Sequence, residues 1–278
     1  MLALYRLLSA WPLGLLHAVG GALGWLTWLA SPTYRRRFAE NSARAGYRFA
    51  QVRPAIAHAG RMAAETPRLW FGAPVPIAWE GAELLEAAYA QRRGIVFLTP
   101  HLGCFEITAQ AVAARYHATW GPLTVLYRPA RQAAREAVLQ GARRREGLET
   151  APTTLSGVRQ MIKALRRGEA VGLLPDQVPP EGMGIWTPFF GQPAYTMTLA
   201  ARLALQTGAT PLLVWGERLS RARGFRLRFR ALTQPLAPEL EPAVAQLNAE
   251  MERLIRECPQ QYLWGYGRYK TPRSEPQA

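Results

Sequence analysis

The stretch Gly94-Ile95-Val96-Phe97-Leu98-Thr99-Pro100-His101-Leu102-Gly103-Cys104-Phe105-Glu106-Ile107-Thr108-Ala109-Gln110 decides how the rest of the chain is read. Ile95 to Leu98 has the length and unbroken apolar character of a strand buried on both faces. Pro100 and Gly103 interrupt regular structure, and Ile107 to Ala113 is compatible with a helix. The reading is strand, tight turn, helix. A polar pair, His101 and Glu106, emerges directly from the strand.

On one continuous helix, His101 and Glu106 would point roughly 140° apart. With His101 in the turn and the helix starting near Gly103, Glu106 falls in the first helical turn and its carboxylate can reach back to the imidazole. A carboxylate on one ring nitrogen fixes the tautomer and stabilises the imidazolium. The other nitrogen is then free to take a proton from a hydroxyl nucleophile. That is general-base chemistry for acyl transfer or hydrolysis. The alternative reading of the same residues is an incidental turn histidine, with Glu106 favouring a helix N-terminus through the dipole.

A chain of 278 residues, 49% hydrophobic and 10% aromatic, supports one large domain with a substantial core. Lysine and arginine total 34 against 19 acids, a formal charge of +15, which favours anionic partners: nucleic acid, an anionic membrane or an acidic carrier protein. Cys104 and Cys258 stand far apart in no C-x-x-C pattern, so neither a disulfide framework nor a zinc signature is present, and a reducing, cytosol-facing site is expected. The four histidines form no H-E-x-x-H pattern, and there is no Walker loop or G-x-G-x-x-G fingerprint, so neither a bound metal nor a bound cofactor is expected.

Leu7 to Ala30 is a run of 24 residues whose only titratable side chain is His17, roughly 36 Å long as a helix and enough to span a bilayer. Trp11, Trp25 and Trp28 suit the interfaces. Arg6 precedes the run and Arg35, Arg36 and Arg37 follow it, which puts the body of the protein on the cytoplasmic side of a membrane. A helix lying in the interface or buried in the domain is the alternative. The chain thus divides into an apolar anchor, 1–30, and a single domain, 31–278, with a helical lead-in over 31–93, an α/β core over 94–270 and a tail over 271–278. In the lead-in, Pro54 and Pro67 are expected helix boundaries.

From Ala82 the pattern alternates. Helices are expected near 82–93, 104–115, 131–145, 156–167, 196–207 and 240–257, and strands near 95–98, 123–127, 170–174, 210–215 and 225–230. Strands interleaved with helices of this length imply an α/β fold with a largely parallel sheet. Arg128 exits a strand end, where such folds put their sites, and an arginine there can stabilise an oxyanion or hold a phosphate. Asp176 and Gln177 exit another. Arg145 belongs to a basic cluster at a helix end. The segment from Val178 to Tyr195 reads as a long apolar loop in which Met183, Trp186, Phe189 and Phe190 are candidates to line an acyl-chain groove. Cys104, beside the pair, reads as a small buried hydrophobe rather than a nucleophile.

Taken in order, these residues resemble the bacterial lipid A biosynthesis acyltransferases, the lauroyl/myristoyl transferases within the lysophospholipid acyltransferase superfamily. The apolar N-terminus, Asn41, Pro100 to Glu106, Tyr127-Arg128-Pro129, Met161 to Gly168, Pro175-Asp176, Thr187 to Gly191 and Pro259 to Trp264 stand in the family's order. The resemblance implies a glycerol-3-phosphate acyltransferase-like α/β fold with a mixed, largely parallel sheet flanked by helices and an N-terminal membrane anchor. It implies His101 and Glu106 as the H-x4-D/E catalytic pair, Arg128 near the reacting thioester, and Asp176 on the acceptor or structural side. It further implies an acyl carrier protein thioester, or acyl-coenzyme A, as donor, an anionic lipid A precursor as acceptor, the inner membrane as location, and no nucleic-acid partner. Gln177, Arg145, Trp186, Phe189, Phe190, Arg268 and Lys270 are the other candidate substrate-binding residues. Many relatives end in Trp-x-His-Arg-Arg-Phe-Lys, whereas this chain reads Trp264-Gly265-Tyr266-Gly267-Arg268-Tyr269-Lys270.

Overall fold

A computed structural model describes residues 2–127 and 145–273. Its N-terminal helices are α1 (Leu2–Ser9), α2 (Leu13–Ala30), α3 (Pro32–Arg44), α4 (Phe49–Val52) and α5 (Pro54–Phe71). They precede β1 (Ile77–Glu80), α6 (Ala82–Ala90), β2 (Ile95–Leu98), α7 (Phe105–Trp120) and β3 (Leu123–Tyr127). Next come β4 (Leu148–Pro152), α8 (Leu155–Arg166), β5 (Ala170–Leu173), β6 (Gly184–Phe189) and β7 (Gln192–Met197). The chain closes with α9 (Leu199–Thr207), β8 (Thr210–Arg218), β9 (Phe225–Arg230) and α10 (Leu240–Glu257).

Among the described residues the main sheet has seven strands in the order β1-β9-β8-β2-β5-β3-β4. Every pairing is parallel except β8 with β9. The helices between the parallel strands cover both faces, so central strands are apolar throughout. All four residues of β2 are buried. Their pleat sends Ile95 and Phe97 to a core with α6 and α7, and Val96 and Leu98 to a second core with α8, α9 and α10. Each such side chain contributes about 1.5–3 kcal/mol relative to exposure, which fixes β2 at the sheet centre rather than an edge.

Four details depart from the sequence expectation. The N-terminal run is broken at Ala10 to Pro12 into α1 and α2 rather than forming one rod. Pro67 lies inside α5 instead of ending it. The apolar segment after Gln177 is largely the antiparallel hairpin of β6 and β7, not an irregular loop. The short strands β1 and β4 were not foreseen, and the expected helix near 131–145 falls almost wholly outside the described residues, as does Arg128.

The apolar α2 is a candidate membrane anchor, but one side of it is part of the protein. Gly20, Gly24 and Gly60 let α2 and α5 meet backbone to backbone; a Cβ on Gly60 would lie 1.9 Å from the Gly20 carbonyl oxygen. His17 sits on this same side, while Leu15, Val19, Leu23, Leu26 and Leu29 form an exposed stripe on the other.

Beneath α2, Glu65 of α5 and Arg218 of β8 form a bidentate ion pair, with bonds of 2.8 Å from Nε and 2.6 Å from Nη2, and both residues are buried. His17 Nε2 lies 2.9 Å from Glu65 Oε2. Burial by itself raises the Glu65 carboxyl, but the Arg218 charge and the bonds from His17, Arg218 and Cys104 outweigh it and bring it to about 2 from 4.5. A carboxylate depressed in the folded state stabilises the protein above its unfolded value and loses that contribution as pH falls through the folded value. Thermal melts followed by circular dichroism are therefore expected to drop between pH 4.5 and about 2; a melting temperature flat across that window would contradict the assignment.

Candidate active site

The parallel strands β2 and β5 pair in a register that sets Leu98 against Leu173. Each is followed by a residue, a proline and then a polar side chain, so Thr99-Pro100-His101 and Leu174-Pro175-Asp176 run side by side out of the carboxyl edge of the sheet. Thr99 N–H extends the ladder by one bond to the Leu173 carbonyl, at 3.2 Å. Three residues past the paired leucines, Asp176 receives both polar groups of His101. The backbone N–H donates to Oδ2 at 2.8 Å and ring Nδ1 to Oδ1 at 2.7 Å. Gln177 offers its side-chain amide to the other ring nitrogen, Nε2, at 3.0 Å. These partners make the imidazole the Nδ1–H tautomer with its lone pair on Nε2. Phe105 packs edge-on against the ring at 5.1 Å.

The carboxylate hydrogen-bonded to the imidazole is Asp176, which the sequence reading places among the substrate-binding residues rather than in the expected pair of His101 with Glu106. The reason is register, since a residue on the neighbouring strand end lies closer to the turn than one in the following helix. Asp176 is only 2% exposed. Burial pushes its carboxyl up, and the adjacent imidazole, the two hydrogen bonds from His101 and the Arg268 charge pull it below the usual carboxylate range. Glu106 accepts a hydrogen bond from the Trp70 indole at 3.2 Å and lines the same cavity as His101.

That cavity measures about 720 Å³, within the range of small-molecule sites. Its polar lining includes His101, Glu106, Gln177 and Arg145, and residues of α7 and the sheet, among them Phe97, Val112, Leu123, Gly172 and Val214, supply apolar walls. Gly172 is the strand residue facing the space beside Phe97; a Cβ there would come within 3.3 Å of Val125 Cγ1. A largely apolar cavity with a few polar lining groups suits a chain molecule with a reactive head.

The remaining predicted residues divide. Arg145 lines the cavity and donates to the main-chain carbonyls of Leu69 and Trp70. Met183 also lines it, but Trp186, Phe189 and Phe190 do not. Trp186 packs outward on Tyr195, while Phe189 and Phe190 are buried with Trp264 and Tyr269. Alternation along β6 turns Trp186 outward and Phe189 to the core, and Phe190, in the hairpin turn at φ +47°, is buried beside it. Arg268 is buried too, bonding the Tyr195 carbonyl at 2.8 Å and Thr196 Oγ1 at 2.6 Å, and it does not line this cavity. Lys270 rests 4.9 Å over the Tyr266 ring. Gly265 follows from packing, because the Tyr34 ring fills the place of its side chain, with Cε2 2.0 Å from where a Cβ would stand.

Cys104 is buried beside Glu65, and burial with that neighbouring carboxylate pushes its thiol well above the ordinary range, which leaves it inert as a nucleophile.

The profile of the family described as bacterial lipid A biosynthesis acyltransferase matches residues 2–271. The chain is 28% identical over 217 residues, 76% of its length and 69% of the relative's, to the lipid A biosynthesis palmitoleoyltransferase of Escherichia coli K12. It is also 28% identical over 213 residues, 74% and 67% of the two chains, to the lipid A biosynthesis lauroyltransferase of the same organism. Against a lipid A biosynthesis acyltransferase of Haemophilus influenzae it is 22% identical over 184 residues, 66% and 56% of the two chains. With the match running nearly end to end, the chain belongs to the bacterial lipid A biosynthesis acyltransferase family.

Proposed function

We propose that the protein transfers a fatty acyl chain from an acyl carrier protein thioester to a hydroxyl of a lipid A precursor, with His101 as general base. The observation that carries this reading is the imidazole itself: Nδ1 is committed to buried Asp176, and His101 lines the largely apolar cavity together with Gln177, whose amide meets Nε2. The acceptor hydroxyl displaces the Gln177 amide from Nε2 and attacks the thioester carbonyl carbon. As the new C–O bond forms, its proton passes to Nε2. The tetrahedral oxyanion collapses, the C–S bond breaks, and the departing sulfur takes the proton from Nε2, leaving an ester and a thiol. Asp176 stabilises the imidazolium between these steps. Arg128, outside the described residues, is the proposed oxyanion donor, since the turn amides from His101 to Cys104 already donate within the protein. Glu106 is a second carboxylate lining the cavity. The charge of +15 supports both an acidic carrier and a phosphorylated glycolipid as partners.

The acyl chain is assigned to the slot between α7 and the sheet. Membrane attachment is assigned to the outer leucine stripe of α2, with Arg36 and Arg37 of α3 exposed toward headgroups. On this reading α2 enters the apolar phase with one face while its glycine face stays on α5.

Three outcomes are expected. With purified protein, acyl donors and lipid A precursor, His101→Ala and Asp176→Asn each lower kcat by about 10²–10⁴. Glu106→Gln costs less, and Cys104→Ala transfers normally. If Glu106→Gln proves the more damaging of the two carboxylate changes, the imidazole partner in catalysis is Glu106. If lipid A precursors are untouched while another glycolipid gains the chain, the acceptor is wrong; if the protein binds lipid without turnover, so is the reaction.

Gly172→Val is expected to shift donor preference toward shorter chains, since one methylene is worth about 1–3 kcal/mol in such a slot. An unchanged preference would put the chain elsewhere. Finally, Leu23→Asp with Leu26→Asp should release protein from the membrane fraction with its melting temperature intact. Recovery of the unaltered chain in soluble form without detergent would reject the membrane role of α2.

A further inference from the structure

The turn that carries His101 is held from behind as well as in front. Gly103 adopts φ +59°, and a Cβ there would lie 2.0 Å from the Gly216 carbonyl oxygen, so the turn is pressed directly on β8. Its amides and carbonyls are individually fixed. His101 C=O accepts from Leu263 N–H at 3.1 Å, Gly103 N–H donates to the Gln261 carbonyl at 3.1 Å, and Cys104 N–H donates to the Gly216 carbonyl at 2.7 Å. The Gly103 carbonyl accepts from Arg218 Nη2 at 2.7 Å.

Arg218 is itself immobilised. Its backbone exchanges hydrogen bonds with the Gln261 side chain, both at 3.0 Å, and its guanidinium is bidentate on Glu65. Glu65 accepts in turn from His17, which projects from α2, and the main-chain carbonyl of His17 takes a bond from Arg61 Nε at 3.3 Å. A continuous buried path therefore runs from the apolar helix α2 through His17, Glu65 and Arg218 to the carbonyl two residues beyond His101. All three side chains are less than 10% exposed. A buried ion pair gives little net stability compared with a well-packed apolar pair of the same volume. Its position here, with its spare donor on the catalytic turn, is better explained by geometry than by stability.

We propose that Glu65 and Arg218 are positioning residues for the turn that carries His101, and that His17 makes the turn answer to the seating of α2 on α5. This rests on the reading of His101 as the general base. With α2 seated, Glu65 has both oxygens engaged and the Arg218 fork keeps its second direction on Gly103. When α2 lifts, Glu65 loses a partner, and Arg218 is drawn from the turn into a new arrangement with the carboxylate. Misplacement of a catalytic group by an ångström lowers turnover without weakening substrate binding in proportion.

The test uses the full-length enzyme in detergent or lipid, comparing His17→Leu, His17→Gln and the apolar pair replacement Glu65→Leu with Arg218→Met. His17→Leu and the double replacement are expected to lower kcat by about 10- to 100-fold with KM for the donor within about twofold. His17→Gln restores turnover because its amide donates from the place of imidazole Nε2. Hydrogen exchange at the amides of residues 101–104 is expected to accelerate in the two impaired proteins and to return to the original rate in His17→Gln. A folded double replacement with unaltered kcat and exchange would overturn the positioning role. If that protein does not fold, the two His17 variants decide, and wild-type turnover and exchange in His17→Leu would overturn the coupling to α2. Should the unaltered enzyme transfer no acyl chain to any acceptor, the proposed reaction fails, and the exchange rates alone still decide whether this path holds the turn.

Discussion

The lateral register of β2 and β5 is the constraint on which the site depends. Parallel pairing of Leu98 with Leu173 brings two strand ends out of the sheet together, and the identical run of one residue and a proline after each leucine makes His101 and Asp176 neighbours. Proline has no N–H to continue the ladder, so both chains leave it at the same level. Asp176 then answers two donors of one residue, the backbone N–H and ring Nδ1 of His101. Two bonds from one carboxylate fix the imidazole in place as well as in tautomer, which a single contact from a flexible glutamate would do less well.

Around this pair the molecule separates two kinds of surroundings. One side of the sheet, under α7, leaves an apolar slot because Gly172 contributes no side chain where its strand neighbours contribute Phe97 and Val125. The other side is filled by α8, α9 and α10 together with the β6–β7 hairpin, whose aromatic residues close the core. The slot beside Gly172 and the aromatic core of the hairpin therefore lie on opposite faces of the same strands.

The N-terminal helix joins these features to a surface. Its glycine face meets α5 closely enough to bury His17 against Glu65, and its leucine face is left uncovered. A helix used in this way is neither an independent anchor nor an ordinary core element. The small residues that let the backbones touch are also what permit a polar side chain from an apolar helix to reach a buried ion pair.

By itself the sequence determined the α/β class, the strand, turn and helix around His101, the central apolar strands and the family, since each is written in local periodicity or in an ordered series of motifs. The pairing of His101 was half visible: Leu98-Thr99-Pro100-His101 and Leu173-Leu174-Pro175-Asp176 have the same form, but nothing local says that β2 and β5 are neighbours. Trp186, Phe189 and Phe190 read as a groove wall because they are apolar and near the site in sequence, whereas hairpin pleating decides the faces of Trp186 and Phe189 and the turn conformation that of Phe190. Pro67 read as a helix end because proline removes a donor, yet packing of α5 against α2 and the rest of the core keeps the helix intact. Only the tertiary structure decided the carboxylate on the imidazole, the slot beside Gly172 and the link from His17 to Gly103. Each depends on residues tens to more than a hundred positions apart, brought together by strand order and backbone contact rather than by any local preference.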